Sequence, residues 1–212
     1  MVCGQCAGIE KFFDQREAER ELRSYRKRGP ARTTRMLLDA LKSFGVESCT
    51  VLDIGGGVGA IKHDLLKSGA SSSLGVEASM AYMAAAKEES ALLGLADREA
   101  HRHGDFVGMA PGLEPADIVT LDRVVCCFDD VEGLVGLSAE KAKKLYGVVY
   151  PRSNWVFAAA FRFFNLWFWL RRSKFRVYLH PTAKIDYLVG RSGLERRFYA
   201  KTALWQVAVY VR

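Results

Sequence analysis

The chain has 212 residues, of which half are hydrophobic and 26% are charged. This length suits one domain with a substantial core and leaves too little chain for two. The net charge of +7 is unevenly spread, since residues 151–212 carry +10 and residues 1–150 carry −3. The basic C-terminal part favours an anionic substrate, an anionic membrane surface or nucleic acid as a partner.

The five cysteines indicate reduced thiols. An odd number, on a chain without a secretory segment, is typical of a cytoplasmic protein. Cys3 and Cys6 form a single C-x-x-C pair, which is too little for a closed zinc site with about four ligands. A metal or redox role and two idle thiols both remain open for this pair, and we predict no metal site. The other cysteines are Cys49, Cys126 and Cys127.

Residues 1–45 form an N-terminal helical segment. Alternating acidic and basic residues over 10–27 predict one solvated helix with local ion pairs. Gly29 and Pro30 end it. Apolar residues between Met36 and Leu41 predict a second helix that ends before Gly45.

Residues 49–150 alternate between apolar runs and helical patterns, which indicates an α/β fold with a mostly parallel sheet. The run 49–54 is apolar almost throughout, as expected for a strand buried on both faces. The predicted strands are 49–54, 73–77, 98–103, 117–121 and 145–150, and the predicted helices between them are 60–68, 79–93 and 131–144.

Residues 151–180 form an aromatic and basic segment, and residues 181–212 a C-terminal helix followed by a strand pair. The run 155–170 holds five phenylalanines and three tryptophans and predicts an aromatic helix inserted after the fifth strand. It is shorter than the ~20 apolar residues of a membrane span and contains Arg162. The patterns then predict an extended stretch over 175–180, a helix over 181–190, and antiparallel strands over 194–201 and 204–212.

The glycine-rich turn after the first strand predicts a nucleotide-binding corner. Gly55, Gly57 and Gly59 suit the methionyl end of S-adenosylmethionine, but the same stretch also matches a dinucleotide fingerprint. Asp53 distinguishes the two, because a carboxylate beside the turn attracts a sulfonium or ammonium cation and repels a pyrophosphate. Glu77, at the end of the second strand, lies at the expected distance for an acid that holds ribose hydroxyls.

These motifs resemble those of class I, Rossmann-like S-adenosylmethionine-dependent methyltransferases, and the C-terminal part loosely resembles magnesium-protoporphyrin O-methyltransferases. The resemblance implies a doubly wound sheet of seven strands, mostly parallel, in the order 3-2-1-4-5-7-6. It also implies S-adenosylmethionine as the cofactor. The residues expected to bind it are Asp53, Gly55, Gly57, Gly59, Glu77, Ala78, Gly104, Asp105, Phe106, Asp122 and Arg123.

We therefore expect methyl transfer to a small acceptor, with O-methylation favoured. The acceptor is expected to be apolar or aromatic, and an anionic group on it is an open alternative. His180 and Tyr25 are candidate bases, although a sulfonium donor needs a base only if the acceptor must lose a proton. For the aromatic helix we favour a cover over the acceptor, place contact with a membrane surface second and place a purely core role third. The protein is therefore expected to be cytoplasmic, with membrane association as an alternative, and nucleic acid is not expected as a partner. Two alternatives remain open: an NAD(P)-binding Rossmann protein, and a non-catalytic basic protein that binds RNA or lipid. The acceptor contacts are predicted at Trp155, Phe164, Trp167 and Arg171.

Overall fold

The computed structural model describes the backbone of residues 4–212 and the side chains of residues 8–212. Within this range seven strands form a sheet in the order β3-β2-β1-β4-β5-β7-β6. β1 to β5 are parallel, and β7 pairs antiparallel with both β5 and β6. The predicted Rossmann-like fold and strand order are therefore confirmed. The strands are β1 (Thr50–Ile54), β2 (Ser72–Glu77), β3 (Glu99–His103), β4 (Ala116–Asp122), β5 (Ala142–Pro151), β6 (Glu195–Lys201) and β7 (Trp205–Val211).

Helices precede the sheet and connect its strands. Residues 96–98, 110–112 and 125–127 add short 3₁₀ turns, and residues 132–136 form a π-helical turn. The α-helices are α1 (Gly4–Phe12), α2 (Gln15–Arg28), α3 (Arg32–Ser43), α4 (Ala60–Lys67), α5 (Met80–Leu92), α6 (Phe106–Met109), α7 (Leu137–Glu140), α8 (Trp155–Leu170) and α9 (Thr182–Gly190).

The core has one layer on each face of the sheet, because neighbouring strand residues point to opposite faces. Val51 and Ile118 pack with α3 and α4 on one face. Leu52 and Val119 pack with α9 and the residue 125–136 turns on the other face. The central strands are thus apolar on both faces, which explains why their sequences read as continuous apolar runs.

Two predicted helices differ in the structure. The helix predicted over 10–27 is divided, because the Asp14 side chain accepts a hydrogen bond from the Glu17 backbone N–H at 3.1 Å and starts α2 there. The helix predicted over 131–144 ends at Glu140, because Ala142 already pairs with Ala116 of β4.

Residues 175–180 contain no regular strand, and Asn165 of α8 holds this stretch through hydrogen bonds to the backbone N–H and C=O of Val177. Cys3 and the side chain of Cys6 lie outside the described residues. Among the helices that are described, none combines the length and the apolar character needed to cross a membrane. The described side chains also include no group of three or more metal-ligating residues placed to hold an ion.

Candidate functional site

A cavity of about 730 Å³ opens at the carboxyl ends of the parallel strands. Its floor is formed by the residues at and just after the ends of β1, β2, β3 and β4, and its roof by α8 and the turn between α1 and α2. This edge of a doubly wound sheet, where the strand order reverses beside β1, is where such folds bind their ligands.

The glycine turn after β1 forms the centre of the floor. Gly55 and Gly57 line the cavity with φ angles of +62° and +57°, a backbone region that favours glycine. Gly59, at φ +85°, is the N-cap of α4 and lies outside the cavity wall. Gly56, which sequence reasoning did not single out, also lines the cavity.

Asp53 lies beneath this turn and does not line the cavity. Its side chain is fully buried, and Oδ1 accepts a hydrogen bond from Thr120 Oγ1 at 2.7 Å. A Cβ atom at Gly56 would overlap the Asp53 carboxylate. Burial raises the pKa of Asp53 to about 6. Because the carboxylate is buried and does not line the cavity, it is not placed for direct contact with a cofactor cation.

Glu77 stands at the end of β2 and faces the cavity. Oε2 accepts a hydrogen bond from the Gly57 backbone N–H at 3.2 Å, and Oε1 accepts one from the Ser79 N–H at 3.0 Å. Burial raises the pKa of Glu77 to about 7, against the lowering effect of these two hydrogen bonds. Ala78 lines the cavity beside it. Glu77 therefore ties the glycine turn to the end of β2.

Asp122 and Arg123, at the end of β4, form the next part of the floor. Asp122 Oδ2 accepts a hydrogen bond from Thr34 Oγ1 at 2.5 Å, and its Oδ1 lies 3.2 Å from Arg123 Nε. Arg123 adopts φ +62° and also lies 3.9 Å from Glu21. The only guanidinium among the described lining residues is thus placed between two carboxylates.

Glu21 is a lining residue that sequence reasoning missed. It comes from α2, and its Oε2 accepts a hydrogen bond from the hydroxyl of Tyr82, which also lines the cavity, at 2.8 Å. Nothing local in the sequence places α2 over the glycine turn, although the sequence of α2 does show a cluster of glutamates. The charged side chains described at the cavity wall are Glu21, Glu77, Asp122 and Arg123.

The residues after β3 divide between the cavity and the helix cap. Gly104 and the buried Phe106 line the cavity. Asp105 is instead the N-cap of α6 and accepts a hydrogen bond from the Val107 N–H at 3.1 Å. Its carboxylate lies outside the wall, so the predicted contact with a cofactor is not formed by the side chain in this conformation.

The inner face of α8 covers the cavity with Phe157, Ala160, Phe161, Phe164 and Phe168. Of the four predicted acceptor contacts, the structure places only Phe164 at this wall. The other three, Trp155, Trp167 and Arg171, lie outside it, with the Arg171 guanidinium 4.7 Å above the Trp167 ring. The sequence did not indicate the rotation of α8, because this helix is apolar on nearly every side.

An aromatic cluster closes the cavity beside α8. Phe12 stacks on Phe175 with ring centroids 4.3 Å apart, and Phe13 and Phe168 meet Phe175 edge to face. All four line the cavity. The sequence analysis did not single out Phe12 and Phe13, and their adjacency was the available signal.

Neither candidate base reaches the cavity wall. His180 Nε2 lies 2.8 Å from the carbonyl oxygen of Phe128, and burial lowers the pKa of the ring. The Tyr25 ring lies 6.4 Å from that of His63, and burial raises the pKa of Tyr25 to about 12. Cys126 and Cys127, by contrast, both line the cavity, with Cys126 Sγ 3.4 Å from the carbonyl oxygen of Arg123.

A buried ionic cluster supports the glycine turn from behind. Lys62 Nζ lies 3.0 Å from Glu99 Oε2 and 3.2 Å from His101 Nδ1, and His63 Nε2 lies 3.2 Å from Glu99 Oε1. Burial alone would raise the pKa of Glu99, but the two histidines and Lys62 lower it overall. Because His63 packs directly against Gly59, this cluster limits how the turn can move.

No known protein-family profile matches the sequence, and no curated protein matches it. Solved structures do match the fold. Magnesium protoporphyrin IX methyltransferase from Synechocystis PCC 6803 with bound SAH has a TM-score of 0.72 and 16% identity, covering 96% of this chain and 98% of that chain. A putative sarcosine dimethylglycine methyltransferase from Galdieria sulphuraria has a TM-score of 0.68 and 13% identity, covering 85% of each chain. An O-methyltransferase family protein from Burkholderia thailandensis has a TM-score of 0.66 and 20% identity, covering 85% of this chain and 56% of that chain. The chain therefore has the Rossmann-like fold of S-adenosylmethionine-dependent methyltransferases.

Proposed function

We propose that the protein is an S-adenosylmethionine-dependent methyltransferase. The observation that carries this proposal is the charge of the cavity wall. Three carboxylates and one guanidinium line it, although the chain as a whole carries +7. A negative wall attracts a ligand that brings a sulfonium and an ammonium group.

The residues present fit the cofactor in three parts. Glu77, whose carboxylate faces the cavity, would accept hydrogen bonds from the ribose hydroxyls. Gly55 and Gly57 let the backbone approach the ligand closely, and Asp122 and Arg123 would lie at the methionyl end. The adenine would lie among apolar and glycine residues, namely Ala78, Gly104 and Phe106.

The same floor argues against a dinucleotide. A pyrophosphate at a glycine turn needs free backbone N–H groups and a positive field. Here the Gly57 N–H already donates to Glu77, and the buried Asp53 lies directly beneath Gly56. Glu21 adds a further carboxylate over the turn, since a Cβ at Gly57 would lie 3.7 Å from its Oε1. The two carboxylates would repel a pyrophosphate, and the Gly57 N–H is not free to bind one.

The wall above the floor favours a small apolar or aromatic acceptor. Its residues are largely apolar and include phenylalanines from α8 and from the α1–α2 turn, and apolar and aromatic linings are typical of sites that enclose small ligands. Because Arg171 lies outside the wall, it does not support the anionic version of the acceptor. O-methylation remains the favoured reaction within this proposal.

S-adenosylmethionine supplies an activated methyl group on a sulfonium, so the residues of this chain need only align the reactants and exclude water. The floor carboxylates orient the cofactor, and the phenylalanines of α8 keep the acceptor dry and in position. We assign no general base, since His180 and Tyr25 lie outside the wall. An acceptor that is already ionised, or one that loses its proton to solvent before it enters, satisfies this arrangement.

The test is calorimetry with S-adenosylmethionine and NADH, followed by measurement of S-adenosylhomocysteine with a panel of aromatic phenols and carboxylates. We expect S-adenosylmethionine alone to bind, and Glu77→Gln to weaken its binding about 10-fold or more, since two charge-assisted hydrogen bonds are lost. Glu88→Gln is the matched control, because Glu88 is an exposed acid outside the cavity wall.

Two outcomes would contradict the proposal. Binding of NADH in place of S-adenosylmethionine would identify a dinucleotide site. Binding of RNA with a steep salt dependence, without cofactor binding or turnover, would identify a non-catalytic basic protein.

A further inference from the structure

The outer face of α8 is an exposed apolar surface. Large side chains there, which the interior of a folded domain would normally cover, are 53 to 82% exposed. A group of exposed apolar side chains on one surface is typical of a binding site, whereas single exposed apolar side chains are common. The residues that form this outer face are Trp155, Phe163, Leu166, Trp169 and Leu170.

Helical spacing separates this outer face from the cavity. At 100° per residue, positions 155, 159, 162, 163, 166, 169 and 170 fall on one side of α8. The cavity-lining positions 157, 160, 161, 164 and 168 fall on the opposite side. One helix therefore carries two apolar faces, and the cavity accounts for only one of them.

The charge around the outer face is positive. Arg162 lies on that face, and Arg171, Arg172 and Lys174 follow α8; all four are exposed. The sequence has no acidic residue from position 141 to position 185. Tryptophans and leucines flanked by arginine and lysine are the composition of helices that lie in a membrane interface.

Two of the side chains that line the cavity are themselves large, apolar and exposed. Phe164 and Leu204 line the cavity wall and are 49 and 55% exposed.

We propose that the outer face of α8 docks on an anionic phospholipid surface, with the helix lying flat in the headgroup region. Its sixteen residues suit this orientation better than a crossing of the bilayer. The charge pattern favours lipid over a second copy of this chain, because two copies would bring two basic clusters together, whereas anionic headgroups would neutralise them. This proposal does not rest on methyl transfer.

The test is co-sedimentation of the full chain with vesicles of phosphatidylcholine alone and of phosphatidylcholine with phosphatidylglycerol. We expect binding to the anionic vesicles and weaker binding to the neutral ones. The variant Phe163→Ser/Leu166→Ser/Trp169→Ser should lose about tenfold or more in partitioning, because these side chains supply the apolar contact. The matched control is Met80→Ser/Tyr187→Ser/Leu92→Ser, which removes three exposed apolar side chains elsewhere on the surface.

A second pair of variants tests the charge. Arg171→Gln/Arg172→Gln/Lys174→Gln should weaken binding to anionic vesicles alone, and Lys67→Gln/Lys87→Gln/Lys143→Gln, with the same loss of charge from exposed lysines elsewhere, should have little effect. Circular dichroism checks that each variant is folded.

Three results would overturn the proposal. One is no binding of the folded wild-type chain to either vesicle. Another is equal loss in the outer-face variant and its control. The third is a dimer by light scattering that the outer-face variant dissociates, with no binding to lipid, since that would make the same face a contact between copies. None of these results bears on cofactor binding by calorimetry, so failure here is distinguishable from failure of the proposed function.

Discussion

The floor and the roof of the cavity are built in different ways. The floor consists of a glycine turn held from several sides by hydrogen bonds and ion pairs, with Asp53, Glu77 and Glu99 fixed by their neighbours. The roof is α8, whose inner face contributes phenylalanines and whose described polar contacts are few. Directional bonds specify one shape, whereas apolar contacts tolerate many. The floor is thus suited to a single ligand of fixed shape. The roof is suited to an acceptor that is selected by the volume of the α8 side chains.

The strongest way to break the floor is Gly56→Ala. Its φ is not in the left-handed region, so the effect is purely steric: the new methyl group would overlap the buried Asp53 carboxylate. We expect a loss of about 1–3 kcal/mol in the free energy of unfolding and loss of cofactor binding. Urea denaturation and calorimetry measure the two effects.

Gly190→Ala is the matched control for Gly56→Ala, since a Cβ there meets no atom within 4 Å. Removing the obstacle with Asp53→Ala in the Gly56→Ala chain should recover part of the stability. Normal stability and binding in Gly56→Ala alone would show that Asp53 does not support the turn.

The roof is tested by enlarging one of two adjacent alanines in α8. Ala160 lines the cavity and Ala159 is exposed on the outer face. We expect Ala160→Trp to reduce kcat/KM for the acceptor about 100-fold by displacing it, with the cofactor Kd unchanged. Ala159→Trp should leave both values near those of the wild type, and equal effects of the two substitutions would contradict the assigned rotation of α8.

The difference between floor and roof also decides what the sequence could predict. The positions of Gly55, Gly57 and Glu77 follow from local patterns, namely apolar runs that end in glycine or an acid. The strand order follows from the resemblance of these motifs to class I methyltransferases. The rotation of α8 does not, because a helix that is apolar on every side has no distinguishable inner face. Trp155 and Trp167 were therefore predicted on the wrong side of the cavity wall.

Three further differences between the predicted and the observed structure, at the start of α2, at Glu21 and at Asp53, have separate causes. The start of α2 was readable, because Asp14 and Glu17 stand three apart as in a helix N-cap. The role of Glu21 was not, because its position over the glycine turn depends on how α2 packs on α5. Asp53 was assigned to the ligand because a sequence cannot show whether a strand-end carboxylate points into the cavity or under the turn.

The ionisation of Glu77 makes the floor sensitive to pH. Burial raises its pKa to about 7 in the folded protein, and the ionised carboxylate is the form that would accept hydrogen bonds from the cofactor. We expect cofactor affinity to rise as the pH increases through about 7 and then to level off. In Glu77→Gln the affinity should be lower and nearly independent of pH, as calorimetry across this range would show.

The stability of the cofactor-free protein should change in the opposite direction. Because the folded pKa of Glu77 is raised above its usual value of 4.5, its contribution to stability is fully present below pH 4.5 and is lost as the pH rises through about 7. The difference in unfolding free energy between wild type and Glu77→Gln isolates this contribution. A difference that grows in favour of the wild type with rising pH would show that the folded pKa is not raised.

The smallest expected effect is at the start of α8. Asn154 is its N-cap, and the side-chain Oδ1 accepts a hydrogen bond from the Phe157 backbone N–H at 3.0 Å. Asn154→Ala should destabilise the helix by about 1 kcal/mol, and Asn154→Asp, which keeps the acceptor, should not. We expect faster amide hydrogen exchange in the first turns of α8 and a modest rise in KM for the acceptor, with no change in cofactor affinity. If cofactor affinity fell as much as acceptor affinity, the roof and the floor would be one coupled unit, and the separation between an invariant ligand site and an adjustable acceptor site would not hold.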